Sequence, residues 1–175
     1  MTDTKTKILD LAEHLTQLKG FNGFSYLDLA AEIGMKNSSI HYHFKAKADL
    51  AVALIMRIRQ NHGKAFMGID QQFSDPKERL RMLVEHFKNY IKEDKICMCG
   101  MMAAEFDSVS PDAKKHLALY FRDVQTWIAK QLTELNYKDP QSSALQFFAA
   151  LEGTLLMARL EEDPNVVDRA LKNFF

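Results

Sequence analysis

The stretch GFNGFSYLDLAAEIGMKNSSIHYHFKAKADL, residues 20–50, decides how the chain is read. Ser25 stands three residues before Asp28, the spacing of a capping box in which each side chain satisfies the other's backbone N–H. It predicts a short helix that Gly34 stops after Ile33. A second short helix is predicted from about Asn37 to Phe44. That segment is too short to be stable alone, so packing must hold it. Between the two, Gly34-Met35-Lys36 makes a tight turn, and glycine supplies the positive φ such a turn asks for.

Upstream, Ile8, Leu11, Ala12, Leu15 and Leu18 recur at helical spacing and give one apolar face. Gly20 follows where a left-handed C-cap is expected, and Phe21 to Phe24 form a short loop. Helix, loop, short helix, tight turn and short helix are the plan of a DNA-binding helix-turn-helix. Ile40 and Phe44, four apart, are expected to anchor the last helix inward. Asn37, Ser38, Ser39, His41, Tyr42 and His43 are left to point elsewhere, and they suit base edges and phosphates. Lys36, Lys45 and Lys47 add a local basic spot, with no acid between Met35 and Ala48. Lys47 opens a long helix, where backbone N–H groups and the helix dipole favour a phosphate. His41 and His43 are two apart on a helix and point to different sides, so no metal site is expected there.

The rest of the chain keeps the helical period. Leu50, Leu54 and Ile58 begin a long helix from Lys47 to about Gly68, and Leu80, Leu83, Val84, Phe87 and Ile91 stripe the next. The segment from Cys97 to Phe106 is apolar nearly all round, which implies burial. Leu117, Phe121, Val124, Ile128 and Leu132 face the core of another long helix. A further one runs from about Gln141 to Glu161. The expected fold is therefore all-α: an N-terminal three-helix domain, residues 1–46, and a C-terminal helical bundle, residues 47–175, with about nine helices in total. The 175 residues are enough for a real core. The 23 basic and 23 acidic residues cancel, which argues against a wholly basic nucleic-acid coat but not against a local patch. Two cysteines exclude a disulfide framework, and Met1 to Lys7 show no apolar secretory region. The most apolar stretch, Ala144 to Leu160, is interrupted by Gln146, Glu152 and Arg159, so no membrane span is read. A cytoplasmic location is expected.

Residues 4–50 resemble the DNA-binding domain of the tetracycline-repressor (TetR) family of transcriptional regulators. The resemblance lies in the Gly-aromatic pair after the first helix, Leu29-Ala30, Gly34, Ile40-His41-Tyr42-His43-Phe44, Lys47 and Leu50. It implies a homodimeric regulator, most readily a repressor, that reads a palindromic double-stranded operator and answers an unknown small-molecule effector. It implies DNA contacts at Tyr42 and His43, and makes Ser25 both a cap and a phosphate neighbour. Two departures stand out: Lys36 replaces the usual Ser or Thr cap, so Asn37 or Ser38 is expected to cap instead, and Ala46 replaces a Ser before Lys47.

Cys97 and Cys99 are either inert buried residues or thiol sensors; in one branch of the family a cysteine near this place senses oxidants or electrophiles, and Cys97 matches it better by spacing. Met102, Glu105, Phe106, Phe121 and Trp127 are candidate effector contacts, with Glu105 a possible anchor because a buried carboxylate needs a partner. Leu145, Phe148, Leu151 and Leu155 belong to a helix whose apolar content exceeds one stripe, and are read as dimer-interface candidates. No paired base or phosphate loop supports an enzyme, and no cofactor is implied. The alternative is a helical protein-interaction or thiol-redox module without specific DNA binding.

Overall fold

A computed structural model describes residues 3–175. Among them are α1 (Thr4–Lys19), α2 (Tyr26–Ile33), α3 (Asn37–His43), α4 (Lys47–Gln72), α5 (Pro76–Lys92), α6 (Met98–Ala104), α7 (Pro111–Glu134), α8 (Pro140–Glu161) and α9 (Asn165–Leu171), with no strand. The all-α expectation holds. The chain divides into two compact units: one runs through α1–α3 to Ile58 and takes up Met98–Ala118, the other comprises Arg59–Cys97 and Leu119–Phe175. The unit that holds the helix-turn-helix therefore extends past residue 46 and includes α6.

The first unit forms where the period said it would. The stripe of α1 buries Ile8, Ala12 and Leu15; Leu29 of α2 and Ile40 of α3 are fully buried beside Leu50 and Leu54 of α4. Arg57 ties α4 to α1 by bonding Asp10 at 2.6 Å and also reaching Glu13. The capping box at the start of α2 is complete. Gly34 ends α2 in the left-handed region, φ 78° and ψ 38°. Gly20 differs from the expected left-handed cap: its φ is 85° but its ψ is 161°, a region that only glycine occupies readily. A Cβ at Gly20 would strike the Glu105 carboxylate, which accounts for glycine there. At α3 the N-cap position is Lys36, with no side-chain cap, so neither Asn37 nor Ser38 takes that role. At α4 the Ala46 N–H donates to Asp49 Oδ2 at 2.9 Å, so the acid's half of a capping box forms although Ala46 offers no side-chain acceptor.

The second unit is built on its own caps and core. Asp75 caps α5 and Asp139 caps α8, each followed by a proline at a tolerated first-turn position. Phe87 of α5 packs edge-on against Phe148 of α8 at 6.2 Å, and Leu80 and Leu83 of α5 and Phe147, Leu151 and Leu155 of α8 are fully buried. Arg79 fastens α5 to α7 through Gln131 at 3.1 Å and Glu134 at 3.0 Å.

The turn makes a clean prediction. A Cβ at Gly34 meets nothing within 4 Å, so only backbone conformation opposes a side chain. Gly34→Ala is expected to cost about 1 kcal/mol in urea unfolding followed by circular dichroism, and Gly34→Asn less. An alanine variant as stable as the parent would contradict the left-handed turn.

Candidate nucleic-acid interface and signal-receiving core

In the first unit, α3 has one face it must bury and one it leaves free. Ile40 is fully buried, and Phe44 just past the helix is 3% exposed. Tyr26 of α2 packs edge-on against His41 at 4.9 Å, joining the two short helices. Burial, with the Asp49 carboxylate second, pushes the Tyr26 phenol up to about 12. On the other side Tyr42 is 84% exposed, its ring edge-on to His43 at 5.2 Å. Of the expected polar residues on or beside α3, Lys36, Ser38, His41, Tyr42 and Lys45 are therefore open to solvent, while Asn37, Ser39 and His43 are partly covered. Ser25 lies at the start of α2; its hydroxyl accepts from the Asp28 N–H at 3.2 Å and donates to the Asp28 carboxylate at 2.8 Å. The Ser25 backbone N–H, then its hydroxyl, holds the Asp28 carboxyl below its ordinary value.

Lys47 is the exception. Its ammonium donates to the Phe24 carbonyl and lies 4.8 Å and 4.6 Å from the Phe21 and Phe24 ring centres. Burial lowers its pKa, against the pull of Glu105 and Asp28. In this structure the ammonium tethers the α1–α2 loop to the start of α4 and does not stand open toward solvent as the expected phosphate contact would. Sequence reasoning placed the lysine at a helix N-terminus and could not see two aromatic rings folding over it.

Glu105 is likewise engaged within the first unit. Its carboxylate accepts from the Asn22 backbone N–H at 3.0 Å and from Asn22 Nδ2 at 3.1 Å. It therefore clasps the α1–α2 loop of the first unit and is not an unpartnered effector anchor. Asn22, which the sequence did not single out, also donates to Ser108 Oγ. Phe106 is 55% exposed, with Lys114 Nζ 3.9 Å from its ring centre. Met102 and Cys99 are fully buried there.

In the second unit a string of polar groups threads an aromatic core. Cys97 is 2% exposed and its sulfur lies 3.4 Å from Tyr120 Oη. The Cys97 thiol also donates to Glu152. Burial raises the Glu152 carboxyl to about 7, and this bond only partly opposes the rise. Glu152 Oε1 is buried without a partner. The Tyr120 ring lies 5.4 Å from that of His62. Burial, with His86 second, lowers His62 to about 3. Phe121 packs 5.6 Å from Phe148, and Trp127 stacks on Phe66 at 4.8 Å. His62, Tyr120 and Glu152 were missed because each sits singly in its helix and only tertiary packing gathers them.

The dimer-interface candidates also separate. Phe148, Leu151 and Leu155 are at most 2% exposed within one chain, so their face of α8 is already used. Leu145 is 55% exposed and aligns with Leu156 at 57% and Leu160 at 86%. Among the described residues no helix is long and apolar enough to cross a membrane.

Comparison with known proteins agrees with this geometry. Residues 8–54 match the model of bacterial regulatory proteins of the tetR family, and residues 76–174 match the tetracyclin repressor-like C-terminal domain. The chain is 28% identical to an uncharacterized HTH-type transcriptional regulator in the lacX 3'region of Lactococcus lactis, over 96% of this chain and 89% of the relative. It is 32% identical to a TetR transcriptional regulator from Legionella pneumophila, whose crystal structure superposes with a TM-score of 0.92 over 97% of this chain and 94% of that one. A TetR-family regulator from Agrobacterium tumefaciens is 26% identical with the same TM-score, over 97% and 94% of the two chains. The helix-turn-helix, the helical C-terminal part and these likenesses together place the chain in the TetR family of DNA-binding, ligand-responsive transcriptional regulators.

Proposed function

We propose that this regulator is a cytoplasmic, non-enzymatic repressor that binds a palindromic operator as a homodimer. A small effector received by the second unit releases it. The observation that carries the DNA assignment is the division of α3, with Ile40 fully buried and Tyr42, two residues on, 84% exposed on the opposite side of the helix. Tyr42, His43, Lys36, Asn37, Ser38, Ser39 and His41 are the residues assigned to operator contact. The exposed stripe Leu145, Leu156 and Leu160 is assigned to the partner copy, in place of the buried Phe148, Leu151 and Leu155. A two-fold dimer presents paired recognition helices to successive major-groove faces.

Release by a ligand is favoured over release by thiol modification. Cys97 is 2% exposed and its sulfur lies against Tyr120 Oη, so an oxidant in solvent has little access to it. Phe121 and Trp127, with Cys97, remain the effector candidates that lie in the second unit.

Three outcomes are expected. In operator-binding titrations, Tyr42→Ala weakens binding about tenfold or more, and Lys36→Ala lowers the salt slope by about 1. Lys47→Ala instead destabilises the first unit and leaves that slope unchanged; a slope lowered as by Lys36→Ala would restore Lys47 as a phosphate contact. In sedimentation, Leu156→Glu with Leu160→Glu yields monomers, whereas Leu151→Ala chiefly costs about 2–5 kcal/mol of stability. A dimer that survives the double exchange contradicts the interface.

The third outcome concerns pH. Glu152 titrates near 4.5 when unfolded and about 7 when folded. Across that window the folded chain keeps a proton the unfolded chain has lost, so this contribution to stability falls as pH rises. Glu152→Gln should flatten that slope in denaturant unfolding. His62 acts oppositely: the unfolded chain takes its proton near 6.5 and the folded one only near 3, so stability falls as pH drops through that range. A Glu152→Gln profile parallel to the parent's would show that the carboxyl is not buried as described.

A further inference from the structure

Three donor atoms from two helices converge in the second unit. His62 Nε2 lies 3.3 Å from His86 Nε2 and 3.2 Å from Tyr90 Oη. Tyr90 Oη lies 3.4 Å from His86 Nε2, so the three form a nearly equilateral triangle. His86 and Tyr90 are one turn apart on α5 and share a face, while His62 comes from α4.

Hydrogen bonding alone explains this triangle poorly. A neutral imidazole offers either a proton or a lone pair at Nε2, never both. Each corner of such a triangle subtends about 60°, so no donor there is straight toward both neighbours. His62 Nδ1 is buried without a protein partner, so neither tautomer satisfies both of its nitrogens. A tetrahedral ion whose bonds to nitrogen are about 2.0–2.1 Å long holds its ligand atoms about 3.3–3.4 Å apart, which is the observed spacing.

We propose that His62, His86 and Tyr90 form a three-ligand site for a divalent late first-row transition metal ion, of the zinc or copper type, with the fourth position open. Imidazole nitrogen suits these ions. No third His, Cys, Asp or Glu completes a group with them among the described residues, so the phenol is the third donor. Tyr90 binds as phenolate, and its proton leaves to solvent as the ion enters. The rings of Phe66, Phe87 and Tyr120 pack 5.4–5.8 Å from that of His62 and wall the inner side. His86 and Tyr90 are only half-buried, which leaves a way in. The ion would cross-link α4 to α5 within the second unit. This site is additional to the effector reading, and its existence does not depend on it.

Titration of the metal-free full chain with Co(II) tests the site, with Zn(II) as competitor. One equivalent should bind, give the intense visible bands of a four-coordinate ion, and be displaced by Zn(II). His86→Asn should weaken binding more than about 100-fold, beyond the loss that a merely supporting residue produces. Tyr90→Phe, which keeps the ring and removes only the oxygen, should weaken binding and shift the bands. His14→Asn should change neither. Circular dichroism confirms folding, and if His86→Asn does not fold, Tyr90→Phe decides. No stoichiometric binding, or bands unchanged in Tyr90→Phe, overturns the site. Operator binding is measured on the same metal-free sample, so intact DNA binding with no metal uptake rejects this site alone.

Discussion

A seven-residue helix has too few internal hydrogen bonds to persist alone, and the reading of an operator requires that α3 persist. What holds it is the burial of Ile40, fully enclosed, with Phe44 beside it and Tyr26 packed on His41. The left-handed Gly34 then sets the direction in which the helix leaves the turn. Every exposed polar residue on α3 takes its position from those few contacts. The first unit extends this support through α6, whose following residue Glu105 grips the α1–α2 loop at Asn22, and through Lys47, whose ammonium closes over Phe21 and Phe24. The loop is thus held from two sides by groups far apart in sequence.

The second unit solves a different problem. Its aromatic core encloses Glu152, Cys97, Tyr120 and His62, groups that burial alone disfavours. Shared hydrogen bonds offset part of that cost, and the unpartnered atoms of Glu152 and His62 mark where it is not offset. Such atoms are where an incoming ligand or ion gains most, because it satisfies a group already desolvated. A repressor needs a core of this kind: stable enough to fold, yet able to prefer a liganded state.

Much of this was legible from residues 20–50 and from helical spacing. The capping box at Ser25, the stop at Gly34, the inward anchors Ile40 and Phe44 and the all-helical plan all follow from local rules, and local rules are what a sequence displays directly. The failures are tertiary. Lys47 and Glu105 obey their local environment but are captured by partners 23 and 83 residues away. On α8 the apolar residues surround the helix, so spacing could not say which stripe faces inward; Phe148, Leu151 and Leu155 do, and Leu156 and Leu160 do not. His86 and Tyr90 are an i, i+4 pair on α5 that the sequence reading passed over, and their partner His62 lies on another helix.

The most direct test of operator recognition is selection of bound sequences from a random DNA pool, followed by footprinting of the best site across a salt series. A palindrome with two protected half-sites about one helical turn or a multiple apart, and affinity falling steeply with salt, is expected of paired α3 helices. Weak binding with no enriched sequence would contradict a dimeric, sequence-reading regulator.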